Sequence, residues 1–257
     1  MDGLAPSRPV AINRWLPYWA VLQADFQQTL QSWVYRVWVL VSLLAAGGYI
    51  LYRFGLMHEV GIEQSAAKLI ADLLRWSLLG SVSLIVVLTA GAISSERGTM
   101  ADSVLSRGIS RHQYFLGKWH SRLASVVLTF LTVSCAALAA SAFLLKEDLS
   151  WRGCGVALAT VSCMLAAVVS CGVAVSAVAN STVLGIAVLW VLLYGGGFLL
   201  SLLPARYLSP DRALTSLPYI LQGHYDMEGL GRLMLGCGAV SLAAALAGLW
   251  HFSRRDI

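Results

Sequence analysis

Charged side chains are scarce in this chain. Only 12% of its 257 residues are Asp, Glu, Lys or Arg, whereas about a quarter of the residues in a soluble domain are charged. Hydrophobic residues make up 58% of the chain, and the mean hydropathy is +0.73. So few charges would not keep so much apolar surface in solution, and the composition therefore indicates an integral membrane protein.

The sequence motifs of common enzyme classes are also lacking. There is no G-x-x-x-x-G-K-[ST] run, so the chain cannot hydrolyse ATP with a P-loop of its own. G-x-S-x-G and H-E-x-x-H are absent too, and no catalytic residue is predicted. The five cysteines lie in apolar segments and form no CxxC pair: Cys135, Cys154, Cys163, Cys171 and Cys237. Neither a metal site nor a disulfide framework is therefore indicated.

Six long apolar segments dominate the rest of the chain. A helix crosses a bilayer with about 20 mostly apolar residues, and six segments meet this requirement: residues 34–52, 73–93, 123–145, 154–179, 183–203 and 233–252. We predict an all-α integral membrane protein with one transmembrane domain over residues 1–257. The cores of the last four spans contain no Asp, Glu, Lys or Arg, so no relay of fixed charges is expected through them.

A further helix is predicted before the first span, over residues 15–32. Its apolar residues recur every three or four positions, at Trp15, Trp19, Leu22, Phe26, Leu30 and Trp33. That period describes a helix with one apolar face. An ordinary soluble amphipathic helix would show the same period, but three tryptophans and a direct run into a span favour a helix lying in the membrane interface.

The distribution of Lys and Arg sets the predicted orientation, because basic loops stay in the cytoplasm. With the N-terminus inside, ten Lys and Arg fall on the inner side and eight on the outer side. The largest basic cluster is then inside, and we predict a cell inner membrane protein with both termini in the cytoplasm. Topology accounts for the net charge of +5, so nucleic acid is not an expected partner.

The longest predicted extracytoplasmic segment, residues 204–232, leaves two alternatives open. Pro204, Pro210 and Pro218 interrupt it, and apolar residues lie between them. It is either a structured external loop or a pair of short re-entrant or interfacial helices that cover the outer mouth.

The most charged run of the chain lies between the second and third spans, and we call residues 94–122 the coupling segment. Its charged residues are Glu96, Arg97, Asp102, Arg107, Arg111, Lys118 and Arg122. A basic polar segment between two spans is a place where a membrane protein meets a soluble partner. Basic residues that merely keep a loop inside are the alternative, although such a loop needs no defined helix.

Two capping patterns in the coupling segment predict a defined helix. Thr99 with Asp102 fits the pattern that caps a helix N-terminus, and Gly108 suits a helix stop. Ser110 with Gln113 is a second capping box, which would begin the third span. The short helix between them would carry on one face Met100, Val104 and Leu105.

The combination of these features resembles the ABC-2 type permeases, the membrane subunits of ATP-binding-cassette transporters. The resemblance lies in six spans after an interfacial helix, with E-R-G-T-M…L-S-R-G-I-S-R…Y-F-L-G-K between the second and third spans. The ending F-S-R-R-D-I is also similar to the close of such chains. The resemblance covers essentially the whole chain, is strongest over residues 95–118, and implies the type V exporter-like architecture.

The resemblance also implies partners and site residues. The short helix would dock into a groove of an ABC ATPase subunit, and two ATPases with a second copy of this permease, or a related one, would form the working unit. The residues implied in coupling are Glu96, Arg97, Gly98, Thr99, Met100, Asp102, Val104, Leu105, Arg107, Arg111 and Lys118. The second and fifth spans would line the central route, where close helix packing is expected at Gly195, Gly196 and Gly197.

The leading interpretation is therefore an export permease in the lipid bilayer that binds no cofactor, with ATP and Mg²⁺ held by the separate ATPase. One alternative is a non-transporting subunit that transmits the ATPase cycle to an extracytoplasmic partner protein. Another is a membrane enzyme acting on lipid through His224, Asp226 and Glu228. The H-x-D-x-E spacing could present oxygen and nitrogen ligands, but on one short loop it is more typical of a solvated turn.

Overall fold

The computed structural model describes residues 15–60, 65–94, 109–144, 148–202 and 209–254. In these ranges the chain forms helix α1 (Leu16–Gln31) and six helices long and apolar enough to cross a membrane. The first four spans are α2 (Trp33–Val60), α3 (Ala66–Ala90), α4 (Arg111–Leu144) and α5 (Trp151–Val178), and the sixth is α10 (Met227–Arg254). The predicted all-α fold with six spans is confirmed.

The fifth span is not a single regular helix. It consists of α6 (Thr182–Trp190), a π-helical turn (Val191–Gly195) and α7 (Gly196–Ser201). A continuous α-helix was the expectation from hydropathy, which measures apolar length and carries no information on hydrogen-bond register. Turns of π-helix within α-helices occur frequently at functional sites.

Several spans are longer than the hydrophobic segments that predicted them, and the third is the clearest case. The third span begins at Arg111, a dozen residues before the start that hydropathy predicts. Its 34 residues measure about 50 Å at about 1.5 Å per residue, whereas the hydrocarbon core of a bilayer is about 30 Å thick. The charged N-terminal third of this helix therefore extends out of the apolar layer.

A sharp turn at Ser32 separates helix α1 from the first span. The Ser32 hydroxyl donates to the Thr29 carbonyl at 2.8 Å and accepts from the Tyr35 N–H at 3.3 Å. One side chain thus satisfies a backbone group at the end of α1 and another at the start of α2. This turn lets α1 lie at an angle to the first span.

The fourth span lies at the centre of the helix bundle, and the second, third and sixth spans pack around it. Its contact with the second span depends on Gly172, because a Cβ at that position would lie 1.9 Å from the Thr89 Oγ1. Small residues at helix contacts allow such close approach in membranes, where packing is the main force between helices. The first and fifth spans, by contrast, are mostly exposed.

Two short helices, α8 (Pro210–Thr215) and α9 (Leu217–Leu221), form a cap over one end of the bundle. Leu217 and Leu221 are fully buried against the second and fourth spans. The Ser150 N–H donates to the Leu221 carbonyl at 2.8 Å, and the chain leaves α9 through Gly223, whose φ of +91° suits glycine. The described part of residues 204–232 thus contains two short helices, and their re-entrant or interfacial position at the outer mouth stays a prediction.

We predict that Gly172→Leu separates the second and fourth spans and lowers stability. The added side chain has no space beside Thr89, and overpacking of this kind costs about 1–3 kcal/mol. Gly155→Leu is the matched control, because Gly155 lies on the same helix and a Cβ there meets nothing within 4 Å. Thermal unfolding of the purified chains in detergent checks this: equal melting temperatures for the two variants would contradict the prediction.

Candidate functional site

The coupling segment is the candidate site, and the structure describes its two ends. Ser94 and residues 109–122 lie within the described ranges. Nine of the predicted coupling residues, as well as the first capping pattern and Gly108, lie outside the described residues: Glu96, Arg97, Gly98, Thr99, Met100, Asp102, Val104, Leu105 and Arg107. Their role in coupling stays a prediction.

The coupling segment begins at the end of the second span, and this end is hydrogen-bonded to the fourth and fifth spans. The backbone N–H groups of Ile93 and Ser94 donate to the Ser176 hydroxyl at 2.9 and 3.1 Å. The hydroxyls of Ser94 and Thr182 lie 3.1 Å apart. Ser176 is fully buried, so its hydroxyl satisfies N–H groups that the end of the second span would otherwise leave unpaired.

At its C-terminal end, the coupling segment enters the third span through the predicted capping box. The Gln113 N–H donates to the Ser110 hydroxyl at 3.2 Å, and the Ser110 N–H donates to the Gln113 Oε1 at 3.2 Å. This reciprocal pair is the one predicted from the sequence. It places the first residue of the third span at Arg111.

The start of the third span also contacts the end of the sixth. The Arg111 guanidinium donates to the Ser253 carbonyl at 3.3 Å. One turn further, the Tyr114 and Phe115 rings pack on Phe252 with centroid distances of 6.0 and 6.3 Å. Arg111 therefore helps to join two helix ends, and whether it also contacts a partner stays a prediction.

Lys118 lies in a buried ionic cluster that the sequence did not reveal. Its ammonium group is 3.0 Å from the Asp25 Oδ1, and the Arg122 guanidinium is 3.1 Å from the same oxygen. The side chains of Lys118 and Asp25 are each only 3% exposed. Lys118 was predicted to take part in coupling to the ATPase, but its side chain faces helix α1 and is not available to a partner surface.

The role of Asp25 was not predicted, because nothing near it in the sequence points to a distant partner. In the structure Asp25 and Thr29 are buried on the side of α1 that packs against the third span, whereas Trp15, Trp19 and the four glutamines of α1 are exposed. The aromatic residues are thus free to lie in a membrane interface, as predicted.

A second polar contact joins α1 to the third span one turn from the ionic cluster. The Tyr18 hydroxyl and the His120 Nδ1 lie 3.0 Å apart, and their rings meet edge to face. Burial raises the pKa of the Tyr18 hydroxyl above its ordinary value, so Tyr18 is neutral at physiological pH. Helix α1 is therefore held to the base of the third span by two contacts, one ionic and one neutral.

The three glycines of the fifth span do not mediate close packing within the described part of the chain. A Cβ at Gly195, Gly196 or Gly197 would meet nothing within 4 Å. Large apolar residues near them are exposed as well, among them Val191, Phe198 and Leu199. If these glycines serve helix packing as predicted, the helix that packs on them would come from another chain.

The acidic residues of the H-x-D-x-E run have structural partners. The Asp226 carboxylate accepts from the N–H groups of Glu228 and Gly229 at 3.0 and 3.1 Å, which caps the sixth span. The Glu228 carboxylate pairs with Arg232 one turn along the helix. In the ranges that the structure describes, no group of three or more His, Cys, Asp and Glu residues could hold a metal ion.

Comparison with known proteins adds one match. A family model described as "ABC-2 family transporter protein" matches residues 19–257, which is nearly the whole chain and includes the coupling segment. No curated protein matches the chain.

We predict that Asp25→Asn destabilises the contact between α1 and the third span. The substitution removes the carboxylate charge with which Lys118 and Arg122 pair in this buried cluster, and breaking a buried pair in this way costs about 3–5 kcal/mol. The measurement is thermal unfolding in detergent, together with the rate of proteolysis within α1, which we expect to rise.

Asp72→Asn is the control for Asp25→Asn. Asp72 also pairs with an arginine, Arg53, but its side chain is 36% exposed, and an exposed ion pair contributes at most about 1 kcal/mol. Adding Lys118→Met to Asp25→Asn should recover part of the lost stability, since the uncompensated ammonium is then gone. Equal effects of Asp25→Asn and Asp72→Asn would show that the cluster does not hold α1 in place.

Proposed function

Because the chain belongs to the ABC-2 family of transporter proteins, we propose that it is an export permease driven by a separate ATPase, which docks at the coupling segment. Members of this family are transport subunits and not enzymes themselves, and they generally partner with ABC ATPases. The chain is accordingly a multi-pass membrane protein and the permease subunit of an ABC transporter. Export is the direction that the resemblance to type V exporters favours.

The observation that carries this proposal is that both ends of the coupling segment are fixed to the transmembrane bundle. One end is hydrogen-bonded to the fourth and fifth spans through Ser176 and Thr182. The other is capped by Ser110, packed on Phe252 and followed by the ionic cluster with Asp25. A force applied to the segment is thereby passed to spans and to α1, as coupling to an ATPase requires.

The proposed working unit contains two copies of this chain, or one copy with a related permease, and two ATPase subunits that hold ATP and Mg²⁺. The coupling segment and both termini lie on the cytoplasmic side of a cell inner membrane, where the ATPase has access to them. A subunit that transmits the cycle to an extracytoplasmic partner would use the same coupling segment.

We propose further that the fifth span contacts the second permease copy. Its exposed apolar residues are numerous and include Val191 at 74% exposure. The glycines that follow leave room for close approach of another helix, since a Cβ at those positions meets nothing within 4 Å. Small residues at helix surfaces support this type of association in membranes.

For the coupling segment, we predict that Glu96→Arg and Arg97→Glu each abolish most of the association with the ATPase. Like charges placed across an interface cost several kcal/mol, so the amount of ATPase that co-purifies with the tagged chain should fall about ten-fold or more. The measurement is the molar ratio of P-loop ATPase to permease after solubilisation in mild detergent.

Arg152→Glu is the matched control for these reversals. Arg152 is exposed at the start of the fourth span, on the predicted outer side, and an acidic residue is favourable at a helix N-terminus. This variant should retain the ATPase at the level of the unmodified chain. If the two reversals in the coupling segment also retain it, the segment is not the docking site.

For the fifth span, we predict that Val191→Cys forms a disulfide between two copies of the chain. The exposed Cys135 is first replaced by serine, and Leu128→Cys on the third span is the control because Leu128 is exposed at 52%. Oxidation in native membranes followed by non-reducing electrophoresis measures the dimer. A dimer from Leu128→Cys and none from Val191→Cys would place the interface elsewhere.

A further inference from the structure

An apolar cavity of about 190 Å³ lies between the first three spans. Its opening is between the first and second spans, where Val41 and Trp76 are exposed at 54% and 70%. Its inner wall is formed by the third span at Val133, Ser134 and Ala137. Ser134 and Ala137 are buried, so the cavity reaches behind the two helices that form its opening.

The cavity exists because the first two spans are joined on either side of it by polar contacts. The Trp38 indole N–H donates to the Ser81 hydroxyl at 3.0 Å. Towards the other end of the helices, the Tyr49 hydroxyl donates to the Asp72 Oδ2 at 3.1 Å. Between these contacts the two helices present small residues, which leave the space unfilled: Ser42, Ala45, Ala46, Ser77 and Gly80.

The lining of the cavity suits a hydrocarbon better than water. No residue that lines it is charged, and the indole of Trp38 and hydroxyl of Ser81 are hydrogen-bonded to each other. Ser42, Ser77 and Ser134 also line it, but most of its lining surface is apolar. A buried water needs two to four polar partners, and an apolar cavity of about 150 Å³ in another protein stays dry and binds benzene. A cavity of this size and polarity that opens at the middle of two spans is therefore expected to take up hydrocarbon from the bilayer.

The depth of the cavity favours an acyl chain over a second protein chain. An α-helix with its side chains is about 10–12 Å across, so a helix from another copy could cover the opening but could not reach the third span. A single acyl chain is thin and flexible enough to enter between the first two spans. We propose that this cavity binds one acyl chain of a bilayer phospholipid, independently of the docking of an ATPase.

The test uses the full chain in vesicles of phosphatidylethanolamine and phosphatidylglycerol, in which a small fraction of the lipid carries a photoactivatable diazirine in the acyl chain. After illumination, the labelled residues are identified by mass spectrometry. We expect labelling of Ser134 and Ala137, which are buried and line the inner wall of the cavity.

Gly80→Leu fills the cavity from the second span, where a Cβ meets nothing within 4 Å. It should lower the labelling of Ser134 and Ala137 about ten-fold, the loss expected when about two buried methylene groups no longer fit. Gly48→Leu is the matched control, since Gly48 also has open space around it but does not line the cavity. Ala46→Leu fills the same cavity from the first span and replaces Gly80→Leu if that variant does not fold.

Two results would overturn the proposal. One is labelling of Ser134 and Ala137 that is equally strong in the filled variants and in Gly48→Leu. The other combines two observations. Ser134 and Ala137 carry no label although the exposed Leu128 is labelled, and Trp76→Cys in the Cys135→Ser background forms a disulfide between two copies of the chain. That outcome would show that a second copy of the chain covers the opening.

Discussion

The structure depends on a buried charge that two cations share. Asp25 on α1 pairs with both Lys118 and Arg122, which lie 93 and 97 positions later in the chain. Buried charges are very costly when they are isolated, so the docked helix α1 supplies a carboxylate that the cations at the base of the third span need. The same contact buries Asp25 against the third span, while Trp15 and Trp19 on α1 stay exposed. Docking of α1 and burial of the charged base of the third span thus depend on each other.

The six spans and the start of the third span could be predicted from the sequence. Hydropathy predicts the six spans because each is long and apolar, and the Ser110–Gln113 box predicts the start of the third span because both partners lie within one turn of helix. Hydropathy alone places the start of that span a dozen residues too late, since the residues from Arg111 to Arg122 include charged and polar side chains. The role of Asp25 was inaccessible, because nothing local distinguishes a solvated acid from one that pairs across 93 residues.

The fourth span is the most buried of the six, whereas the first and fifth spans are mostly exposed. The fourth span packs on the second, third and sixth spans among others and relies on Gly172 for its approach to Thr89. The first and fifth spans have most of their large side chains exposed. Lipid is as apolar as these side chains, so their exposure carries little cost in a bilayer. Contacts at these surfaces are therefore free to form or change without disturbing the centre of the bundle.

The two ends of the coupling segment differ in how firmly they are held. At the end near Ser94, the links to Ser176 and Thr182 are neutral hydrogen bonds, each worth about 0.5–1.5 kcal/mol. At the other end, a capping box and an aromatic contact are followed along the same helix by a buried ionic cluster, whose disruption costs about 3–5 kcal/mol. Each of these neutral links is therefore weaker than the ionic cluster, although the three together come close to it. In the proposed coupling, the third span and α1 would move together because the cluster joins them, while neutral hydrogen bonds connect the other end of the segment to the fourth and fifth spans.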